Sequence, residues 1–175
     1  MPNNGHPLPL RNENQNLHNS QIAFHTVYTE VIYMTVTIRQ GTLHDFKDIT
    51  AHYGPGDSPW DPFGDEERLR RIPLEGLRIA EVDGEYAGFL YWFIGENPWF
   101  DRETKRYAYI TELHVVEEYQ NKGVGTSLLE YAVNELRTKP VTVFISTTEG
   151  NMVARTLYEK AGFSPFSQTI HYKLY

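Results

Sequence analysis

The chain has 175 residues, 40% of them hydrophobic and 22% charged, enough to bury an ordinary core in one domain. A net charge of −7 argues against docking on a phosphate backbone, so no nucleic-acid partner is expected. It holds no cysteine, which excludes disulfides, thiolate metal ligands and a cysteine nucleophile.

Residues 1–21 are rich in Asn, Gln and Pro, show no periodicity and read as an extension outside the fold. They lack the apolar core of a signal peptide, and no apolar run approaches the ~20 residues of a membrane span. A cytoplasmic protein without membrane contact is the expectation. Ile32, Met34, Val36 and Ile38 then alternate as a half-buried strand does. The expected division is an extension over 1–33, partly disordered, and one folded domain over 34–175, with Met34 itself a candidate natural start.

Strands and helices alternate from there. "TLHDFKDITAHY" spaces Leu43, Phe46, Ile49 and His52 for a helix, and the breaker-rich "GPGDSPWDPFG" leads to a short charged helix, "DEERLRRI". "GLRIAEVDGEYAGFLYWFIG" reads as a hairpin turning at Asp83-Gly84. The polar connection "ENPWFDRETKR" leads to a strand in "YAYITELHVV". Val124, Leu128, Tyr131, Ala132 and Leu136 form one helical stripe. "VTVFIST" reads as a buried strand. "NMVARTLYEKAG" is a helix with Asn151 as N-cap and Gly162 just past its end. A last strand lies within "FSQTIHYKLY". This alternation predicts a mixed sheet covered by helices.

The glycine turn "QNKGVG" joins a strand to a helix. Leu128 stands where a dinucleotide fingerprint needs its third glycine, and the spacing does not fit a Walker loop. A plain loop with a glycine helix start is one reading. The other is a phosphate site: glycines let backbone N–H groups approach a ligand closely, and a helix N-terminus favours a pyrophosphate. Gln120 and Lys122 add donors.

The stretch "LHVVEEYQNKGVGTSLLEYA" resembles the cofactor motif of the GNAT N-acetyltransferases, Leu-x-Val followed by Gln/Arg-x-x-Gly-x-Gly/Ala. "NMVARTLYEKAGF" resembles that family's second signature, Asn-x-x-Ala-x-x-Leu-Tyr-x-x-x-Gly-Phe. The pair occurs in the family's order with a strand between, and the resemblance extends over roughly residues 34–175. One departure is Glu117, where the turn often carries proline. The resemblance implies an α/β (α+β) fold: a mixed, mostly antiparallel sheet of six to seven strands, flanked by about four helices, with parallel strands 4 and 5 splayed apart. It also implies an acetyl-CoA-dependent N-acetyltransferase, transferring directly to a primary amine in a ternary complex. Polyamines, amino acids, antibiotics and protein amines all stay open as acceptors, and so does a homodimer. A non-catalytic acyl-CoA-binding sensor with the same fold is the alternative.

By the same resemblance the splayed strands are "ITELHVV" and "VTVFIST". The backbone of Leu113, His114 and Val115 would pair with the pantetheine arm. Gln120, Asn121, Lys122, Gly123, Val124, Gly125 and Thr126 would hold the pyrophosphate. Asn151 and Arg155 would add cofactor contacts, Arg155 having an ordinary solvated role as its alternative. Tyr158 matches the tyrosine near the departing sulfur, with simple packing as the competing role. Strand alternation puts Glu112 and His114 on one face and Leu113 and Val115 on the other. Glu112 is the first choice for general base or ammonium anchor and His114 the second. Asp57, Trp60, Asp61 and Phe63 combine acidic and aromatic groups suited to an ammonium, although Trp60 and Phe63 serve equally as plugs on the core. The histidines show no metal-ligand spacing, so no metal is expected.

Overall fold

The computed structural model describes residues 19–24, 32–54, 61–96 and 106–165. Among these residues six strands form one sheet in chain order: β1 (Asn19–Phe24), β2 (Ile32–Gln40), β3 (Leu77–Val82), β4 (Glu85–Glu96), β5 (Arg106–Val115) and β6 (Thr142–Ile145). Every neighbouring pair is antiparallel except β5 and β6, which run parallel. Four α-helices accompany them: α1 (Phe46–Tyr53), α2 (Glu66–Leu69), α3 (Val124–Leu136) and α4 (Met152–Lys160). The mixed sheet and the parallel pair are as the sequence predicts. That pair is fifth and sixth here, because Asn19–Phe24 already lies on β2. Strand pairing thus begins inside the segment read as an extension. An edge strand needs only backbone donors and acceptors, which composition does not reveal.

β4 is apolar on both faces because both are covered. Leu90 and Trp92 join the core against α3, whereas Phe89 and Tyr91 join a second core with Phe46 and Ile49 of α1 and Leu69 of α2. The hairpin turns at Asp83 (φ 51°) and Gly84 (φ 88°), the two left-handed residues of the tight turn that Asp-Gly favours. Half-buried side chains line β6, where the sequence reading has it buried. The strand expected within 166–175 lies outside the described residues.

A 3₁₀ turn, Leu43–Asp45, precedes α1 and is capped by Thr42, whose own N–H donates to Asp45 Oδ2 at 2.7 Å. That turn resets the helical phase. Phe46 and Ile49 are buried as expected, but Leu43 stays 50% exposed and His52 is exposed. Seven residues are nearly two full turns, so Tyr53, not His52, shares the inward face of Phe46. α3 is fastened to β3 by Arg78, which is 4% exposed and gives Glu135 a forked ion pair at 2.9 and 2.5 Å. The guanidinium also lies 5.6 Å from the Trp92 ring centre and 6.0 Å from that of Tyr131. Leaving such a buried charge unpaired costs on the order of 3–5 kcal/mol, so this pair holds the C-terminal end of α3 on β3. Among the described residues no helix is long and apolar enough to cross a membrane.

Candidate active site

β5 and β6 pair only from Tyr107↔Thr142 to Ile110↔Ile145. Past that point β6 ends, while β5 continues to Val115 along β4 alone. A bulge helps part the strands: Tyr91 faces Glu112 and Trp92 faces Ile110, leaving Thr111 as the extra residue. The bulge also sends Ile110 to the α3 core and turns Glu112 to the α1 side. Between the diverging strands lies a cleft of about 700 Å³. Thr111, Glu112, Leu113 and Val115 form one wall, and Ile145 with Ser146, Thr147 and Thr148 forms the other.

One end of the cleft is the start of α3. Asn121 (φ 58°) and Gly123 (φ 83°) adopt left-handed backbone, which folds the turn back under the helix. Among the described residues no side chain caps α3, and its first closing bond runs from Ser127 N to the Gly123 carbonyl at 3.0 Å. The N–H groups of the first turn therefore precede the intrahelical ladder and carry the positive end of the helix dipole. Gln120, Asn121, Gly123, Gly125 and Thr126 all line the cleft here. A Cβ on Gly125 would sit 3.5 Å from both Leu113 Cδ2 and Val115 Cγ2, at the cleft floor. α4 differs, since the Asn151 side chain accepts from Ala154 N at 3.0 Å.

The other end gathers polar groups from distant parts of the chain. Tyr53 Oη lies 2.8 Å from Asp61 Oδ2 and 3.0 Å from Glu112 Oε2. Glu112 Oε1 accepts from Leu113 N at 3.2 Å. Tyr158 faces the same cleft from α4. Burial first, then the charge of Glu112, holds the Tyr158 phenol above its ordinary pKa, so it stays protonated. Burial together with Asp61 and Glu112 pushes Tyr53 far above its own.

Glu112, Leu113, Val115, Gln120, Asn121, Gly123, Gly125, Thr126, Asn151 and Tyr158 thus share one cleft. Six other expected residues among those described lie off it, Asp61 beside it on the Tyr53 hydroxyl. Val124 is 1% exposed in the α3 core, and the Lys122 ammonium lies 5.7 Å from the Tyr119 ring centre. Arg155 donates to the Glu149 carbonyl at 3.3 Å. His114 shares the face of Glu112 but packs against Tyr53 and Phe89, ring centres 5.4 and 5.9 Å apart. Burial, then the nearby His52, lowers the His114 pKa, so the ring is neutral. Phe63 is 4% exposed and packs on Phe89, the plug role left open for it. Asp57 and Trp60 lie outside the described residues.

Sequence reasoning missed Tyr53. Its signal was the seven-residue spacing from Phe46 once the helix is phased at Phe46. It also missed Ser146–Thr148, a polar run directly after an apolar strand.

A family model described as Acetyltransferase (GNAT) family matches residues 43–163. An N-alpha-acetyltransferase of Sulfurisphaera tokodaii is 27% identical over 100 residues, 54% of this chain and 59% of that protein. An uncharacterized N-acetyltransferase of Archaeoglobus fulgidus is 33% identical over 88 residues, 48% of this chain and 56% of that protein. The matches thus span a little over half the length of these two relatives. An aminoglycoside N-acetyltransferase solved in complex with CoA shares the fold, with a TM-score of 0.64 at 18% identity, over 81% of this chain and 95% of that one.

Proposed function

The chain belongs to the acetyltransferase (GNAT) family, and on that premise we propose that it transfers the acetyl group of acetyl-CoA directly to a primary amine. The observation that carries this reading is the cleft itself. It has an uncapped helix N-terminus at one end and a carboxylate with a protonated phenol at the other. Acetyl-CoA supplies an acyl group activated as a thioester. The turn Gln120–Thr126 suits its pyrophosphate, since free N–H groups and a helix dipole converge there. Leu113 and Val115, on the stretch of β5 that has left β6, suit the pantetheine arm.

An amine of pKa about 10.4 is neutral only about once in 2,500 at pH 7, a handicap near 4.6 kcal/mol. Glu112, at the cleft wall, takes the proton that the amine gives up. As the C–N bond forms and the C–S bond breaks, Tyr158 donates a hydrogen bond to the sulfur. Its raised pKa favours that role over full proton transfer. His114 is the weaker candidate for base, being neutral but off the cleft. A small cationic amine is the favoured acceptor, because the Glu112 carboxylate lines the cleft and Asp61 lies just beyond it, across the Tyr53 hydroxyl. A peptide amine is the second choice, and a soluble cytoplasmic setting suits either.

Thiol release from acetyl-CoA across polyamines, aminoglycosides and peptides tests the activity. Glu112→Gln tests the base: kcat/KM should fall roughly 10²–10⁴-fold, with residual activity climbing as pH frees the amine. An unaltered pH–rate profile would overturn the assignment. A loss confined to acceptor KM would make Glu112 an ammonium anchor.

A further inference from the structure

The contacts of Tyr53 do not balance in protons. Its hydroxyl faces Asp61 Oδ2 at 2.8 Å and Glu112 Oε2 at 3.0 Å, yet a phenol has one proton to donate and an ionised carboxylate has none. One contact is a hydrogen bond from Tyr53. The other becomes one only when a further proton enters the group. Both carboxylates are oriented through their remaining oxygens: Phe63 N donates to Asp61 Oδ1 at 2.9 Å, and Leu113 N to Glu112 Oε1 at 3.2 Å. Tyr53 and Glu112 line the cleft, whereas Asp61 does not. The three oxygens therefore lead from the site of reaction to a partly exposed carboxylate outside it.

We propose that Glu112, Tyr53 and Asp61 form a relay that takes the acceptor amine's proton out of the cleft. The proposal rests on the reading of Glu112 as base and adds two residues to it. The amine N–H bond breaks and its proton joins Glu112 Oε2. That new O–H finds the Tyr53 oxygen at hydrogen-bond distance, with the phenol's own proton already turned to Asp61. The Glu112 proton then passes to Tyr53 Oη as the Tyr53 proton passes to Asp61 Oδ2. Glu112 is ionised again, Tyr53 is again a phenol, and one proton has moved to Asp61, where solvent removes it. Tyr53 holds its proton too tightly to pause as a phenolate, so the two transfers proceed together. Among the described residues, Tyr91 lies opposite Glu112 on β4, His114 follows it on the same strand and Tyr158 reaches the cleft from α4. Neither tyrosine lies between Glu112 and Asp61 in the hydrogen-bond chain.

Tyr53→Phe keeps the ring against Phe63 and Phe89 and removes only the hydroxyl. A carbon-detected NMR titration of the Glu112 carboxyl in the full chain needs no acceptor. In the relay the phenol oxygen accepts from protonated Glu112, so its loss should lower the Glu112 midpoint by roughly 0.4–1 unit, the worth of one neutral hydrogen bond. A midpoint that stays or rises would mean that Tyr53 merely anchors ionised Glu112, and would overturn the relay. Asp61→Asn still accepts from Tyr53 but takes no proton. With acetyl-CoA and the best of spermidine, an aminoglycoside and an alanine-initiated peptide, each variant should lose roughly tenfold in kcat/KM. The double variant should lose no more than either alone, because both break one chain. Multiplying losses, or none, would overturn the proposal. Glu112→Gln separates the two failures. If it is slow while both relay variants are normal, the relay alone falls. If it is normal, the base reading falls and takes the relay with it.

Discussion

The two ends of the cleft are built in opposite ways. The α3 end is local: seven consecutive residues, Gln120–Thr126, supply the turn, the two left-handed backbones and the open helix start. The far end is assembled from Tyr53 on α1, Asp61 ahead of α2, Glu112 on β5 and Tyr158 on α4. A backbone site needs only the right local dihedrals, so it survives most changes elsewhere in the chain. A side-chain site depends on helix phase, bulge position and packing together. Substitutions at the first end should act on cofactor affinity and those at the second on the rate.

Gly125→Val should give the largest separation. The fold tolerates a Cβ at ordinary contact distance from Leu113 and Val115, and a branched side chain on this cleft-lining residue should take up ligand space. CoA affinity measured by calorimetry should fall by roughly 10²-fold, with an almost unchanged melting temperature. Wild-type affinity would show that the turn does not hold the phosphates, and the comparison would break there.

If Tyr158 acts on the departing sulfur as proposed, Tyr158→Phe should cost about tenfold in kcat and leave the acetyl-CoA KM nearly alone. Single-turnover kinetics check it. A rise in KM with kcat intact would move Tyr158 to the binding end of the cleft.

His114 sharpens the contrast through stability. Its folded pKa lies below the unfolded value of about 6.5, so the unfolded chain binds more protons beneath that pH. The stabilisation is complete above about pH 6.5 and is lost as pH falls from there through the folded pKa. His114→Phe should flatten that part of the melting-temperature profile, an effect of roughly 1–3 °C. An identical slope in the variant would mean that other groups set it.

The smallest expected effect is at the opposite edge of the sheet. A chain starting at Met34 loses β1 and the first two residues of β2, yet among the described residues β1 pairs with β2 alone and lies four strands from β5. CoA affinity should stay the same within error. A large loss would make the segment before Met34 part of the working domain, against its reading as an extension.

Much of this was legible in the chain because it depends on near neighbours. The Asp83-Gly84 turn, the Asn151 cap, the α3 stripe and the glycine turn are each set by residues within a few positions, whose steric and hydrogen-bonding preferences act before any tertiary contact forms. Alternation along β5 likewise put Glu112 and His114 on one face. It could not tell the two apart. Only packing decided that Glu112 lines the cleft while His114 is pressed between aromatic rings, and that Phe63 fills the core. A 3₁₀ turn of three residues chose Tyr53 over His52, and one bulge at Thr111 turned Glu112 away from Ile110. Such one-residue shifts of phase leave composition and periodicity almost unchanged, yet they reverse the side chains that follow in a strand and turn those in a helix by about 100°. The sequence by itself determined the family, the mixed sheet from β2 onward and the glycine turn at the start of α3. The tertiary structure decided which side chains meet at the far end of the cleft, because contacts between residues far apart in the chain exist only once the sheet and helices have set their register.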